Sequence, residues 1–450
     1  MSVSPPGALR TGLYRAVWRW HFVAGLLVLP FLILLAVTGA IYLFKDEIND
    51  AAYRHLHFVA PQAAAPLPAS ALSAAALEAH PGTLRAYLPA AAPDRSARIR
   101  IRDAEGVTDT VYVDPYDATV LGSLWDAGFA GSPAMHVVRK LHSLEYVGWF
   151  GNRLVELAAG WMILLVGTGI YLWWPRGRNV GVLTLRRRKG RGFWRDLHAV
   201  GGLYLGGFIV FLAVTGLPWS GVFGKQFYDL SYRLGLGMPD GYWSAYPVSD
   251  QTLADVADKA PWIAERQPVP QSRSHEGVPA GIDRIVEIVE ARGIHPGYAL
   301  AMPSGPAGVF TASAYPEDID GERVIHLDQY SGEVLYDAGL ADLGWFGRMA
   351  ERGISIHMGQ EWGRANQVVL LLACLGMIAM AIAAARMWWL RRPAGGIGAP
   401  ALPADLRLPR GLLVIALVAG VLLPLVGLSM LVIAAVEIAL ALGARRRHPA

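Results

Sequence analysis

The chain predicts a membrane all-α helical bundle with internal duplication: four core spans plus a C-terminal hydrophobic hairpin, with two small α+β domains outside the bilayer. Three observations carry this. Of the 450 residues 54% are hydrophobic and only 17% charged. The apolar ones cluster, so that no Asp, Glu, Lys or Arg occurs in Phe22–Phe44, Leu157–Trp174, Leu197–Gly224 or Val368–Ala385. Each run is long enough for the roughly 17–25 helical residues that cross a hydrocarbon core. Second, "FLILLAVTGAIY" at 31–42 returns as "FIVFLAVTGLPW" at 208–219. Third, the two long connecting loops alternate β-type residues with turn signals, unlike the spans.

Residues 1–45 hold a cytoplasmic segment and the first span. Its apolar run is too long for a secretory signal and continues into "YLFKDEIND" without a small-x-small cleavage site, so it reads as an anchor. Residues 46–140 form the first outer domain, with a helix near 69–79 followed by the hairpin pattern "RIRIRDAEGVTDTVYVDPYDATVLG". The second span, 141–175, begins with "LHSLEYVG"; a continuous helix from His142 to Trp173 would be about 46 Å long, so a break at Gly148 and Gly151 is expected. The loop 176–195 is crowded with Arg176, Arg178, Arg186, Arg187, Arg188, Lys189, Arg191 and Arg195. The third span is 196–224. The second outer domain, 225–355, has a helix near 280–292 before "GVFTASAYPEDIDGERVIHLDQYSGEVLY". The fourth span, 356–392, opens on "IHMGQEWG" and ends before Arg391 and Arg392. Residues 393–450 are a linker and an apolar tail. Two short helices breaking near Pro424 would keep Arg410 and Arg445–Arg447 on one side.

Arg10, Arg15, Arg19, the 176–195 loop and Arg391–Arg392 all border span ends. The positive-inside rule puts these segments, with the N-terminus, in the cytoplasm. The net charge of +4 is therefore a feature of a protein that meets a lipid bilayer, not nucleic acid. The single cysteine, Cys374, excludes an internal disulfide and thiolate-held clusters. The sequence contains no P-loop, Rossmann fingerprint, HExxH helix or serine-hydrolase elbow.

Aligned on AVTG, the halves bring His21 onto His198 and Gly25 onto Gly202. "LHSLEYVG" at 141–148 likewise meets "IHMGQEWG" at 356–363, so that His142 falls on His357. "VDPYDATVLG" at 113–122 meets "LDQYSGEVLY" at 327–336. Each half is thus span, outer domain, span, and repeats of this kind commonly flank a shared site.

Four of the twelve histidines hold equivalent places. Read singly, each is an interfacial histidine beside tryptophans. Read as pairs, they suit axial ligation of haem iron, with one imidazole from each half. His21 and His198 would hold an inner haem. Gly25 and Gly202, one turn on, leave room for a flat macrocycle, and Arg15, Arg19 and Arg195 lie at the depth of its propionates. His142 and His357 would hold an outer haem. Thr38 and Thr215 lie roughly 25 Å up their helices from His21 and His198, close to this outer site; they either hydrogen-bond there or pack helices tightly. His136 is a possible substitute for His142. His55 and His57 read as a solvated exit segment, and His275, His295 and His326 lack partners at metal spacing.

The order "WRWHFVAGLL…AVTG", "LHSLEYVG", "YLWWPR", "DLHAVGGLY…AVTG", "IHMGQEWG" and the "VDPYDATVLG" hairpin resembles the PepSY-associated transmembrane-helix family of bacterial iron-regulated inner-membrane proteins, over about 18–392. The fourth span departs from the pattern, with "AMAIAAARMWW" where the second has Thr-Gly in "LLVGTGIYLWW". The resemblance implies PepSY-like outer domains and two non-covalent haem b groups on His21, His198, His142 and His357. It implies reduction of a ferric siderophore or other ferric chelate outside, with electrons from a cytoplasmic or quinol donor. Two other readings stay open: a chelate permease without redox chemistry, and a membrane-anchored sensor or assembly partner.

Overall fold

The computed structural model describes residues 6–174, 183–186, 189–236, 248–257, 259–273, 277–394, 396, 398–399 and 410–447. Arg176, Arg178, Arg187 and Arg188 of the basic loop, and His275, lie outside them. The chain divides into two compact units. One comprises 1–40, 140–229 and 369–450; the other comprises 41–139 and 230–368.

The first unit is helical. Among the described residues four helices are long and apolar enough to cross a membrane: Gly12–Tyr42, Trp149–Trp173, Gly190–Trp219 and Arg364–Trp389. They are the four runs read from the sequence, and the last residues of the first and the first of the fourth reach into the second unit. Within the helical unit they bury Val28, Ala36, Met162, Ile209, Ala213 and Met377 against one another. Leu27, Val214, Leu372 and Leu375 stay exposed, as lipid-facing residues do when the solvent is hydrocarbon. The second span starts where expected. A helix Pro133–His142 ends, Leu144 and Gly148 take left-handed φ of 53° and 71°, and Trp149 opens the span. Gly151 must be glycine because a Cβ there would run into the Leu144 carbonyl.

The tail forms two helices, Arg410–Leu422 and Pro424–Arg447. A Cβ on Gly420 would stand 3.0 Å from the Gly427 Cα. Residues seven apart along a straight helix are about 10 Å apart, so the chain folds back at Leu423–Pro424 as a hairpin. It docks on the second span, where Val426 covers Gly160 and the Trp161 indole donates to the Ser429 hydroxyl at 3.0 Å.

The described residues of the second unit form ten strands: β1 (Thr83–Leu88), β2 (Ala97–Arg102), β3 (Thr108–Val113), β4 (Val120–Trp125), β5 (Val248–Thr252), β6 (Pro268–Pro270), β7 (Ala299–Ala301), β8 (Val309–Ala314), β9 (Arg323–Asp328) and β10 (Val334–Gly339). The two outer loops each supply four strands, with their own helix and apolar cluster, and share one antiparallel sheet in the order β10-β9-β8-β7-β1-β2-β3-β4. The join is short, Ala86 opposite Ala301 and Tyr87 opposite Leu300. Its physical reason is that each four-stranded set would otherwise expose an unpaired edge. Helices Ala69–Ala79 and Ile282–Ala291, close to the two expected stretches, cover one face, and Ile282, Val286 and Met302 pack against the apolar clusters of both sets. The Asp283 carboxylate accepts from the Ser70 amide at 2.9 Å and the Ser70 hydroxyl at 2.5 Å, tying one helix start to the other helix.

Both hairpins are built alike. Asp114 accepts from the Tyr116 amide at 2.9 Å and Asp328 from the Tyr330 amide at 2.9 Å. Four residues after each aspartate the backbone turns left-handed, at Ala118 (59°) and Gly332 (71°). The Tyr116 hydroxyl donates to the Pro93 carbonyl and the Tyr330 hydroxyl to the Pro306 carbonyl.

Candidate functional site

The helical unit brings His21 and His198 together. Their ring centroids are 6.2 Å apart with planes at 76°. His21 Nδ1 lies 2.9 Å from the Thr168 hydroxyl of the second span. That hydroxyl has one proton, which goes to its own helix at the Leu164 carbonyl, 2.9 Å away. Assigning that proton to Leu164 makes the Thr168 oxygen the acceptor of His21 Nδ1–H and leaves His21 Nε2 its lone pair.

The same logic recurs further along the first span. His142 Nδ1 lies 2.8 Å from the Thr38 hydroxyl, which donates to the Leu34 carbonyl at 2.7 Å. Thr38 is buried. Glycine follows the threonine in both cases, and a Cβ there would stand 3.3 Å (Gly169) and 3.6 Å (Gly39) from the Cε1 of the facing histidine. Burial pulls the His142 imidazole down to about 4, so it is uncharged near neutral pH.

His198 has no threonine. Its Nδ1 faces the Met380 carbonyl at 3.5 Å. A carbonyl only accepts, so Nδ1 again carries the proton. In the repeat alignment Ala383 stands where Thr168 stands, and Met380 where Leu165 does. The residue swap noted in "AMAIAAARMWW" thus removes the hydroxyl, and the histidine turns to a carbonyl of that turn instead.

These residues suit a histidine-ligated metal group. Three imidazoles present Nε2 while Nδ1–H is held by an oxygen, the arrangement that orients metal-bound histidine. Two imidazoles on one metal, with bonds of about 2 Å, would have centroids roughly 6 Å apart, which matches the His21–His198 pair. The glycines point the same way. A Cβ on Gly25 would meet only Leu165, and one on Gly202 only Met380, each at an ordinary 3.9 Å. Nothing in the protein itself demands glycine there, in contrast to Gly376, where a Cβ would stand 2.9 Å from Leu205.

The remaining predicted residues are placed as follows. His357 belongs to the other unit, at the C-terminus of the helix Trp345–His357. Thr215 donates to the Phe211 carbonyl at 2.7 Å. Arg19 lies half-buried on the first span. The exposed Arg195 is held by the fully buried Asp196 at 2.8 Å and 3.2 Å. Arg391 lies over the Trp18 ring at 4.3 Å. His136 stacks edge-on against Trp125 at 4.8 Å, and His57 donates to Asp50, which also takes two bonds from Arg95. Among the described residues no cluster of three or more His, Cys, Asp or Glu could hold a bare metal ion.

Two features escaped the sequence reading. Thr168 shows in the sequence only as the Thr-Gly pair of "VGTG", like the Thr-Gly of AVTG at 38–39 and 215–216, whose threonines suit either hydrogen bonding or packing. Lys259, Glu322 and Glu351 form a buried charged cluster in the sheet unit with no local motif. Lys259 Nζ sits over the Phe129 and Tyr315 rings at 4.0 and 3.2 Å, and the Tyr315 hydroxyl donates to Glu351 at 3.0 Å.

No curated protein matches the chain. The family model described as the PepSY-associated TM region matches residues 18–391, with all four histidines inside the match, and this membrane protein belongs to that family.

Proposed function

We propose that the chain is a duplicated inner-membrane protein, with its N-terminus in the cytoplasm and its PepSY-like sheet unit in the periplasm. On this reading it carries electrons outward to a ferric siderophore or other ferric chelate through two non-covalent haem b groups. The observation that carries the reading is the His21–His198 pair: two imidazoles from equivalent helices, 6.2 Å apart, each with Nδ1 on an oxygen. The equivalent aspartate turns and tyrosine bonds of the two hairpins support the duplication.

Haem, when bound, supplies one-electron exchange at a potential set by its axial ligands and burial. The chain's own residues do the rest. His21 and His198 would hold the inner group, and His142 and His357 the outer one. Gly25 and Gly202 leave the helix faces bare. Arg19, with Arg195 once it turns from Asp196, would meet propionates at the cytoplasmic end, while Thr38 would fix His142, and Thr215 is the residue that the repeat aligns with Thr38. The inner end would face a quinol or cytoplasmic electron donor. The outer end would face the ferric chelate, whose iron, once reduced by one electron, binds hard oxygen donors more weakly. The apolar packing among the spans separates the two ends chemically.

The test is an absorption spectrum of the purified protein in detergent before and after dithionite. A sharp reduced band with about two haems per chain, reoxidised by ferric siderophore, is the expected result. Replacing His142 and His357 together by alanine should remove one haem and leave the other. A colourless protein made with ample haem would overturn the reading and favour the permease.

A further inference from the structure

The two histidine–threonine bonds are reciprocal. The first span offers His21 near one end and Thr38-Gly39 near the other. The segment 142–169 offers His142 near its start and Thr168-Gly169 near its end. Each histidine is held by the Thr-Gly of the partner segment. A packing role alone would need the small glycine. It would not need a hydroxyl whose only proton is already spent on its own helix and whose lone pair faces an imidazole.

We propose that Thr168 and Thr38 are positioning residues that fix His21 and His142 in the Nδ1–H tautomer, so that each offers Nε2 as an axial ligand, and that His198 receives the same service, more weakly, from the Met380 carbonyl. This rests on the di-haem reading. It adds an asymmetry to the inner site that the duplicated sequence does not suggest. His21 is polarised by a hydroxyl at 2.9 Å, while His198 leans on a carbonyl at 3.5 Å that serves its own helix as well. The two ligands of one iron are then unequal donors, and Thr168 holds the stronger one. A second consequence is coupling. Because the bonds cross between the same two segments, a shift of one segment along the other would disturb both histidines together.

The experiment compares the full chain with Thr168→Val, Thr168→Ser and Thr38→Val, all in detergent, by haem titration and by the low-spin spectrum of each haem. Outer partners that hold a ligating histidine are worth on the order of 10–100-fold in metal affinity. Thr168→Val should weaken haem binding at one site by about that factor and shift only that site's low-spin signal. Thr168→Ser should restore both, and Thr38→Val should act in the same way on the other site. A purely structural threonine would change stability without moving the spectrum. If Thr168→Val binds both haems with wild-type affinity and an unchanged spectrum, the inference is overturned while the di-haem reading stands. Should that variant not accumulate, Thr38→Val decides the same question at His142. A wild-type chain that takes up no haem overturns the reading itself and the inference with it.

Discussion

At the scale of the residue, a polar side chain inside a span needs its hydrogen bonds met within the protein. Glu156 is the sharpest case. It is 4% exposed inside the second span, and its carboxylate accepts from the Val222 and Phe223 amides at 2.9 Å each. Those amides open the helix that follows the third span, where a helix start favours negative charge. A buried carboxylate is expensive unless its oxygens are bonded, and here both are. Hydrogen bonds to a charged group are worth about 1.5–3 kcal/mol. Glu156→Gln keeps the shape, loses the charge and leaves one donor facing another. We expect a loss of about that size, read as a lower midpoint in thermal unfolding of the detergent-solubilised protein, with no change in the environment of His21. An unchanged midpoint would mean that the carboxylate does not hold this turn. The sequence showed Glu156 only as a charge one position before an apolar run. Nothing local reveals a partner 66 residues away.

At the scale of the element, hydropathy and the repeat marked all four spans, the break at Gly148 and the fold-back at Pro424, because each depends on a local rule. A long apolar run must be helical in lipid, and glycine and proline interrupt it. The join between β1 and β7 was illegible for the opposite reason. It depends on which edge meets which, and the two strands carry no mark that distinguishes pairing from exposure. The docking of the tail hairpin was hidden likewise, since apolar faces turned to lipid and to protein have the same composition. Small residues settle it in the structure. A Cβ on Gly160 would stand 2.5 Å from Val426 and 3.5 Å from Leu423. Gly160→Leu should therefore push the hairpin off the second span and break the Trp161–Ser429 bond, at a cost of about 1–3 kcal/mol for overpacking. Thermal unfolding checks this; a variant as stable as the wild type would show that the hairpin contributes nothing to the helical unit.

At the scale of the whole molecule, stability should respond to pH through two opposed sets of buried groups. Burial, with Glu351 nearby, raises Glu265 to about 7, and burial raises Glu351 itself to about 7 despite bonds from Tyr315 and the Trp262 and Ile263 amides. Glu322 is pushed up in the same way, and Lys259, beside them, is pushed well down. A carboxyl whose folded pKa lies above its usual 4.5 holds its proton more tightly when folded. Its contribution is complete below about 4.5 and is lost as pH rises through 7. Buried His326 acts in reverse. It is held down near 3, so folding loses its contribution as pH falls below 6.5. Stability should therefore peak where the two slopes cross, between these limits, instead of at the alkaline pI. The groups can be separated. Glu351→Gln keeps an acceptor for the Tyr315 hydroxyl but cannot ionise, so its stability relative to the wild type should rise steadily from pH 5 to pH 8. The acid limb, set by His326, should stay unchanged. Unfolding midpoints of both proteins across that range decide it. A constant difference between them would mean that Glu351 titrates normally, and that the cluster around Lys259 is open to water in solution.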